Sequence, residues 1–224
     1  MVINIACAGP EEGVPAVNVL NLYAGIGGNR KLWKDVKVVA VEHDPRIAKI
    51  YKDFFPDDEM LVEDAHSFLL ENFEDFDFIW SSPPCPSHSR IRKNSAVPRG
   101  QNKPVYPDLR LYQEILFLQG YFKGKFVVEN VIAWYDPLIK PRECGSHWFW
   151  ANFKIQPLST KSREHDGKVS TLEKRKGFDL SKYKSLPCEK RLLLRNCVEP
   201  EIGLHVLNCA FKQEQKTLPR MVFR

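Results

Sequence analysis

Three short apolar runs, each halted by a different chemical feature, constrain the fold more than anything else in this chain. Val17-Asn18-Val19-Leu20-Asn21-Leu22 breaks into the glycine turn Ala24-Gly25-Ile26-Gly27-Gly28. Phe76-Asp77-Phe78-Ile79-Trp80 stops at Ser82-Pro83-Pro84-Cys85-Pro86-Ser87-His88-Ser89. Lys125-Phe126-Val127-Val128 runs into Glu129-Asn130-Val131. Short apolar runs bounded by glycine or proline read as buried strands of an α/β sheet. In such a sheet the ligand crevice lies at the carboxyl ends of the strands. One crevice would then hold a glycine turn, a cysteine and a carboxylate.

Taken singly, each feature is weak. A lone cysteine is more often a small buried hydrophobe than a nucleophile, and a Gly-x-Gly-Gly turn occurs in many α/β units. Their order, each at a strand end, is specific. Together they resemble the motifs of the DNA (cytosine-5) methyltransferases. Asn21 to Gly28 resembles the first motif of that family, Pro84-Cys85-Pro86-Ser87-His88-Ser89 its nucleophile motif, and Glu129-Asn130-Val131 its Glu-Asn-Val motif. Arg195-Asn196-Cys197-Val198 resembles the segment that closes the cofactor pocket. Pro86 stands where glutamine is usual, and Arg195 where glycine is usual. Over residues 17 to about 153 and 195 to 212 the short form is similar to compact methyltransferases of phages and prophages.

The resemblance implies a Rossmann-like, S-adenosylmethionine-dependent methyltransferase fold, a mostly parallel sheet with helices on both faces. It implies a catalytic and cofactor-binding core over 1–155, a small basic target-recognition insert over 156–190, and a segment returning to the core over 191–224. S-adenosylmethionine is the implied cofactor. It would be held by Leu22, Tyr23, Ala24, Gly25, Ile26, Gly27, Gly28, Glu42, His43, Asp64, Ala65, Pro83, Asn196 and Val198. Glu42 suits the ribose hydroxyls and Asp64 the adenine side, with Trp80 or His43 available for stacking. Cys85 is the implied nucleophile for ring carbon 6 of cytosine. Glu129, in its protonated form, would hydrogen-bond ring nitrogen 3, and Asn130 would brace the loop that carries Cys85. Arg142 or His147 would replace the arginine that usually contacts the base.

Charge is distributed unevenly about a net +5. Pro86 to Tyr106 holds five basic residues and no acidic one, and Lys154 to Arg191 holds eleven basic against five acidic. Such patches suit a polyanion. Ser87, Ser89, Arg90, Arg92 and Lys93 on the loop, and Arg163, His165, Lys168, Arg175 and Lys176 on the insert, are the candidate contacts to double-stranded DNA. An RNA cytosine methyltransferase, transfer of a modified group from a variant cofactor, and an inactive DNA-binding module are the competing readings. The six cysteines show no Cys-x-x-Cys spacing, so neither a metal site nor a disulfide frame is indicated. No signal peptide and no membrane-length run are expected from the sequence, and a cytoplasmic monomer with reduced thiols is the expectation.

Secondary structure follows from the same reading. Val36 to Val41 is a strand, Asp44-Pro45 starts a helix, and a helix follows the glycine turn near Asn29 to Trp33. Residues 147 to 155 read as a strand paired with Ile202 to Phe211 or an element nearby. Residues 83 to 107 read as a long loop, and 156 to 190 show no clear period.

Overall fold

A computed structural model describes residues 16–96, 98–158, 168–183, 186 and 189–211. Seven strands form one sheet in the order β3-β2-β1-β4-β5-β7-β6. The strands are β1 (Val17–Leu22), β2 (Val36–Val41), β3 (Glu59–Leu61), β4 (Phe78–Ser81), β5 (Lys125–Val131), β6 (Arg142–Cys144) and β7 (His147–Ala151). The first five are parallel, with Leu22 beside Val41 on one side and Ser81 on the other. β7 runs antiparallel to β5 and forms a hairpin with β6. Strand order reverses at β1 and β4, where open α/β sheets open their binding crevice. This is the Rossmann-like architecture expected of an S-adenosylmethionine-dependent methyltransferase.

Both faces of the sheet are covered, so alternate residues of one strand feed two cores. Val19, Val38, Ala40, Phe78, Trp80, Val127 and Phe149 pack on one face. They meet α1 (Pro45–Phe54), α4 (Val169–Lys176), α5 (Lys190–Asn196) and α6 (Pro200–Phe211). Leu20, Leu22, Val41, Ile79, Phe126 and Val128 face the other way, toward α2 (Ala65–Asn72) and α3 (Arg110–Tyr121). α1 begins where Asp44 accepts a hydrogen bond from Arg46 N at 2.9 Å, with Pro45 in the first turn. No helix among the described residues is long and apolar enough to cross a membrane.

Two expectations change. Residues 147 to 151 pair with β5 and β6, whereas Ile202 to Phe211 lies in α6, with Ile202, Val206 and Leu207 buried on one face. Asn29 to Trp33 is a run of turns instead of a helix. There Arg30 clasps both oxygens of Asp58 at 2.8 and 2.9 Å and donates to Trp33 O, and Asp35 adopts a φ of 56°. The described part of the 156–190 segment packs on the core. α4 brings Leu172, and the residues after it bring Phe178 and Leu180, into the core cluster. Arg163 and His165 lie outside the described residues.

Candidate active site

The glycine turn leaves β1 through Tyr23, Gly25 and Gly27, all with positive φ (55°, 56° and 86°). Gly27 and Gly28 are fixed by packing: a Cβ on Gly27 would strike Phe55, and one on Gly28 would lie 2.6 Å from Cys197 Cβ and Val198 O. Asn196 ends α5 exposed, so the Asn-Cys-Val segment meets the turn through Cys197 and Val198. Gly25 differs, because nothing lies within 4 Å of where its Cβ would be. Its backbone is bare toward the crevice, and its N–H donates to Glu42 Oε2 at 3.1 Å. Glu42 is buried and also accepts from Asp44 N at 3.0 Å, with His43 Nδ1 3.0 Å from the same Oε1. A carboxylate has about four acceptor positions, so Oε2 keeps capacity for a hydroxyl. An open glycine beside a fixed carboxylate fits the amino-acid and ribose portions of S-adenosylmethionine. With turns rather than a helix behind it, the turn would hold an anionic group by its own N–H groups.

Asp64 caps α2. Its Oδ1 accepts from Ser67 N at 2.9 Å and Ser67 Oγ at 3.0 Å, and these bonds hold its carboxyl below the usual range. Ala65, next in the chain, is buried. His43 is exposed at the crevice edge, with 77% of its side chain accessible. Trp80, by contrast, is fully buried against Trp33 and Phe149, which removes it as a stacking platform.

Cys85 follows β4 on a loop bound from several sides. Asn130 is buried, and its Nδ2 donates to Pro83 O at 2.9 Å. Cys85 O accepts from His88 N and Ser89 N, both at 3.0 Å. His88 is 1% exposed, and its Nδ1 lies 2.6 Å from Tyr135 Oη. Burial lowers the pKa of His88, favouring neutral imidazole. Ser87 accepts from Asp108 N through Oγ and from Trp134 Nε1 through its carbonyl. Ser89 bridges to Ala133. The loop is therefore sewn to the segment after β5.

Glu129 stands within β5, which continues to Val131 because β7 pairs with it. Its Oε2 accepts from Ser82 Oγ at 2.8 Å, and Ser82 Oγ accepts in turn from Trp80 Nε1 at 2.8 Å. His147 Nε2 lies 3.7 Å from Glu129 Oε1, whereas Arg142 is exposed on the edge strand β6. Of the two candidates for the base-contacting position, His147 is the one beside the carboxylate. Burial, and then the charge of Glu129, push the Cys85 thiol up to about 11. Thiolate is thus scarce at neutral pH. Alkylation of Cys85 by iodoacetamide is expected to accelerate about tenfold per pH unit from 7 to 10. A rate that levels off near pH 8 would contradict that environment.

The basic residues divide. Arg90 Nε donates to Ala133 O at 2.9 Å, Lys93 Nζ sits 4.2 Å from the Trp134 ring centre, and Arg92 reaches Asn102 and Lys103 O. Arg90 and Lys93 are exposed on the loop, and Arg92 is half-buried. Lys168 is exposed at the start of α4. Arg175 pairs with Glu199 at 3.2 Å. Lys176 is 3% exposed, lies 3.0 Å from Glu199 Oε1 and donates to Cys197 O. It is a buried structural tie, not a nucleic-acid contact. Its positive charge suggested polyanion binding in the sequence, but helical phase turns it inward.

Comparison with known proteins identifies the family. Residues 17–133 match the family model described as C-5 cytosine-specific DNA methylase, more than half of the 224 residues. The chain belongs to that family. S-adenosylmethionine is accordingly its cofactor. Among curated relatives, the tRNA (cytosine(38)-C(5))-methyltransferases of Homo sapiens and Rattus norvegicus are each 32% identical over 112 residues, 40% of this chain. The match spans 29% of their own length. Two solved structures are each 24% identical to this chain. A putative DNA modification methyltransferase from an E. coli prophage covers 54% of this chain and 33% of its own, with a TM-score of 0.36. A Spodoptera frugiperda DNMT2 mutant covers 51% and 35%, with a TM-score of 0.37.

Proposed function

We propose that this chain transfers a methyl group from S-adenosylmethionine to ring carbon 5 of cytosine in double-stranded DNA, through a covalent adduct on Cys85. The observation that carries this reading is the placement of Cys85 on the loop after β4 and Glu129 within the neighbouring strand β5, with that loop tied down by Asn130 and a glycine turn open for the cofactor after β1.

Carbon 5 of cytosine is a poor nucleophile until something adds to carbon 6. The Cys85 thiolate makes that bond. Glu129, carrying a proton, hydrogen-bonds ring nitrogen 3 and stabilises charge developing on the ring. The bound cofactor supplies the electrophilic methyl group. Transfer of the carbon-5 proton to water then breaks the carbon 6–sulfur bond, expels the thiolate and frees Cys85. Ser82 fixes the rotamer of Glu129, and His147 takes the place of the base-contacting arginine. The base must leave the duplex to reach these groups, and the basic loop 86 to 106 flanks its path.

Glu42 and the turn hold the cofactor. Glu42→Ala is expected to reduce S-adenosylmethionine affinity at least about tenfold, as for loss of charge-assisted hydrogen bonds. Unchanged affinity by calorimetry would place the cofactor elsewhere.

The curated relatives favour a second reading, in which the cytosine lies in transfer RNA. Incubation with labelled S-adenosylmethionine and either duplex DNA or transfer RNA, followed by mass analysis of the nucleosides, separates the two. 5-Methylcytosine in DNA is the expected product. Label confined to RNA would establish the second reading, and an added mass other than methyl would require a variant donor.

A further inference from the structure

Glu114 belongs to α3 and lies outside every motif of the reaction, yet its side chain is fully covered. A buried carboxylate is tolerated only when its oxygens are satisfied. Three donors from three separate elements do this. Tyr23 Oη donates to Oε1 at 2.6 Å, His66 Nδ1 lies 2.9 Å from the same oxygen, and Ser81 Oγ donates to Oε2 at 2.5 Å. Tyr23 is the residue between β1 and the glycine turn, in a left-handed backbone conformation that side chains rarely adopt. Ser81 ends β4, next to the Ser82 that fixes Glu129. His66 follows Asp64 and Ala65 in the first turn of α2. A cavity of about 220 Å³ opens beside Glu114, lined by His66, Leu69, Leu70, Gln113 and Phe117. Packing on that side is therefore incomplete, and the hydrogen bonds hold the three segments in register.

We propose that Glu114 is a positioning residue for methyl transfer. It acts through Tyr23, His66 and Ser81 to lock the cofactor turn, the adenine-side start of α2 and the root of the nucleophile loop into one arrangement. This rests on the reading that the crevice holds S-adenosylmethionine. Being fully covered, Glu114 reaches ligands only through these partners.

The full chain tests this by calorimetry with S-adenosylmethionine, by steady-state kinetics, and by thermal unfolding without ligand. Tyr23→Phe deletes one hydroxyl and keeps the ring. It is expected to weaken cofactor binding about tenfold, as for loss of a hydrogen bond to a charged group. The KM for nucleic acid should stay within about twofold, a split that a general loss of folded protein does not produce. Glu114→Gln is expected to cost at least as much. In its background, Tyr23→Phe should cost less than about twofold, because the hydroxyl acts through the carboxylate. Parent-like cofactor affinity in folded Tyr23→Phe, or losses that multiply in the double variant, would overturn the inference. Should Glu114→Gln not fold, Tyr23→Phe decides alone. A parent that binds no S-adenosylmethionine would overturn the functional reading and this inference together. A parent that binds it, with Tyr23→Phe binding equally well, overturns this inference only.

Discussion

Replacing Cys85 by alanine is expected to reduce methyl transfer by roughly three orders of magnitude or more, the scale seen when a covalent nucleophile is removed. Cofactor affinity should stay near the parent value, because Gly25 and Glu42 follow β1 and β2, apart from the Cys85 loop after β4, and that loop is held by Asn130, His88 and Ser87. The check is a turnover assay paired with calorimetry. Residual turnover within tenfold of the parent would mean that no bond to Cys85 forms.

Glu129→Gln carries the second large effect, and its two readouts move in opposite directions. Glutamine preserves the shape and still accepts from Ser82 Oγ, but it cannot be the protonated acid at ring nitrogen 3. Turnover should fall by about 10²–10³, as when an electrostatic stabiliser of a transition state is lost. The charge that helps push the Cys85 thiol up disappears at the same time. The folded-state pKa of Cys85 should therefore drop toward the ordinary range while burial still holds it above. At fixed pH near 8, alkylation of Cys85 should be faster than in the parent. Slower alkylation would show that Glu129 activates the thiol instead of restraining it.

The strands that build the crevice were legible because parallel strands are apolar on both faces, and because each ends in a residue type with few alternative uses. Asp44-Pro45 was equally plain, since an N-cap followed by proline has one common meaning. Other features depend on partners distant in sequence. Glu114 reads as a solvated helix residue until Tyr23, His66 and Ser81 close on it. His88 and Tyr135 are 47 positions apart, and no spacing signals that pair. Ser82 looks like loop punctuation, and only β5 beside it reveals the bond to Glu129. Ile202 to Phe211 is apolar enough for a strand. Its buried residues 202, 206 and 207 mark a helix, and helical spacing there was the available signal. Lys176 and Arg175 show the limit of charge counting, because a basic run on one helix contains both inward and outward faces.

The most direct test of the central claim is adduct formation with a duplex containing 5-fluorocytosine, in the presence of S-adenosylmethionine. Fluorine at carbon 5 blocks the proton loss that frees the enzyme, so the bond to Cys85 persists. The parent should yield a complex that survives denaturation, with its attachment mapped to Cys85 by peptide mass analysis, and Cys85→Ala should yield none. No adduct from active parent protein, or an adduct formed equally by Cys85→Ala, would contradict covalent catalysis by this cysteine.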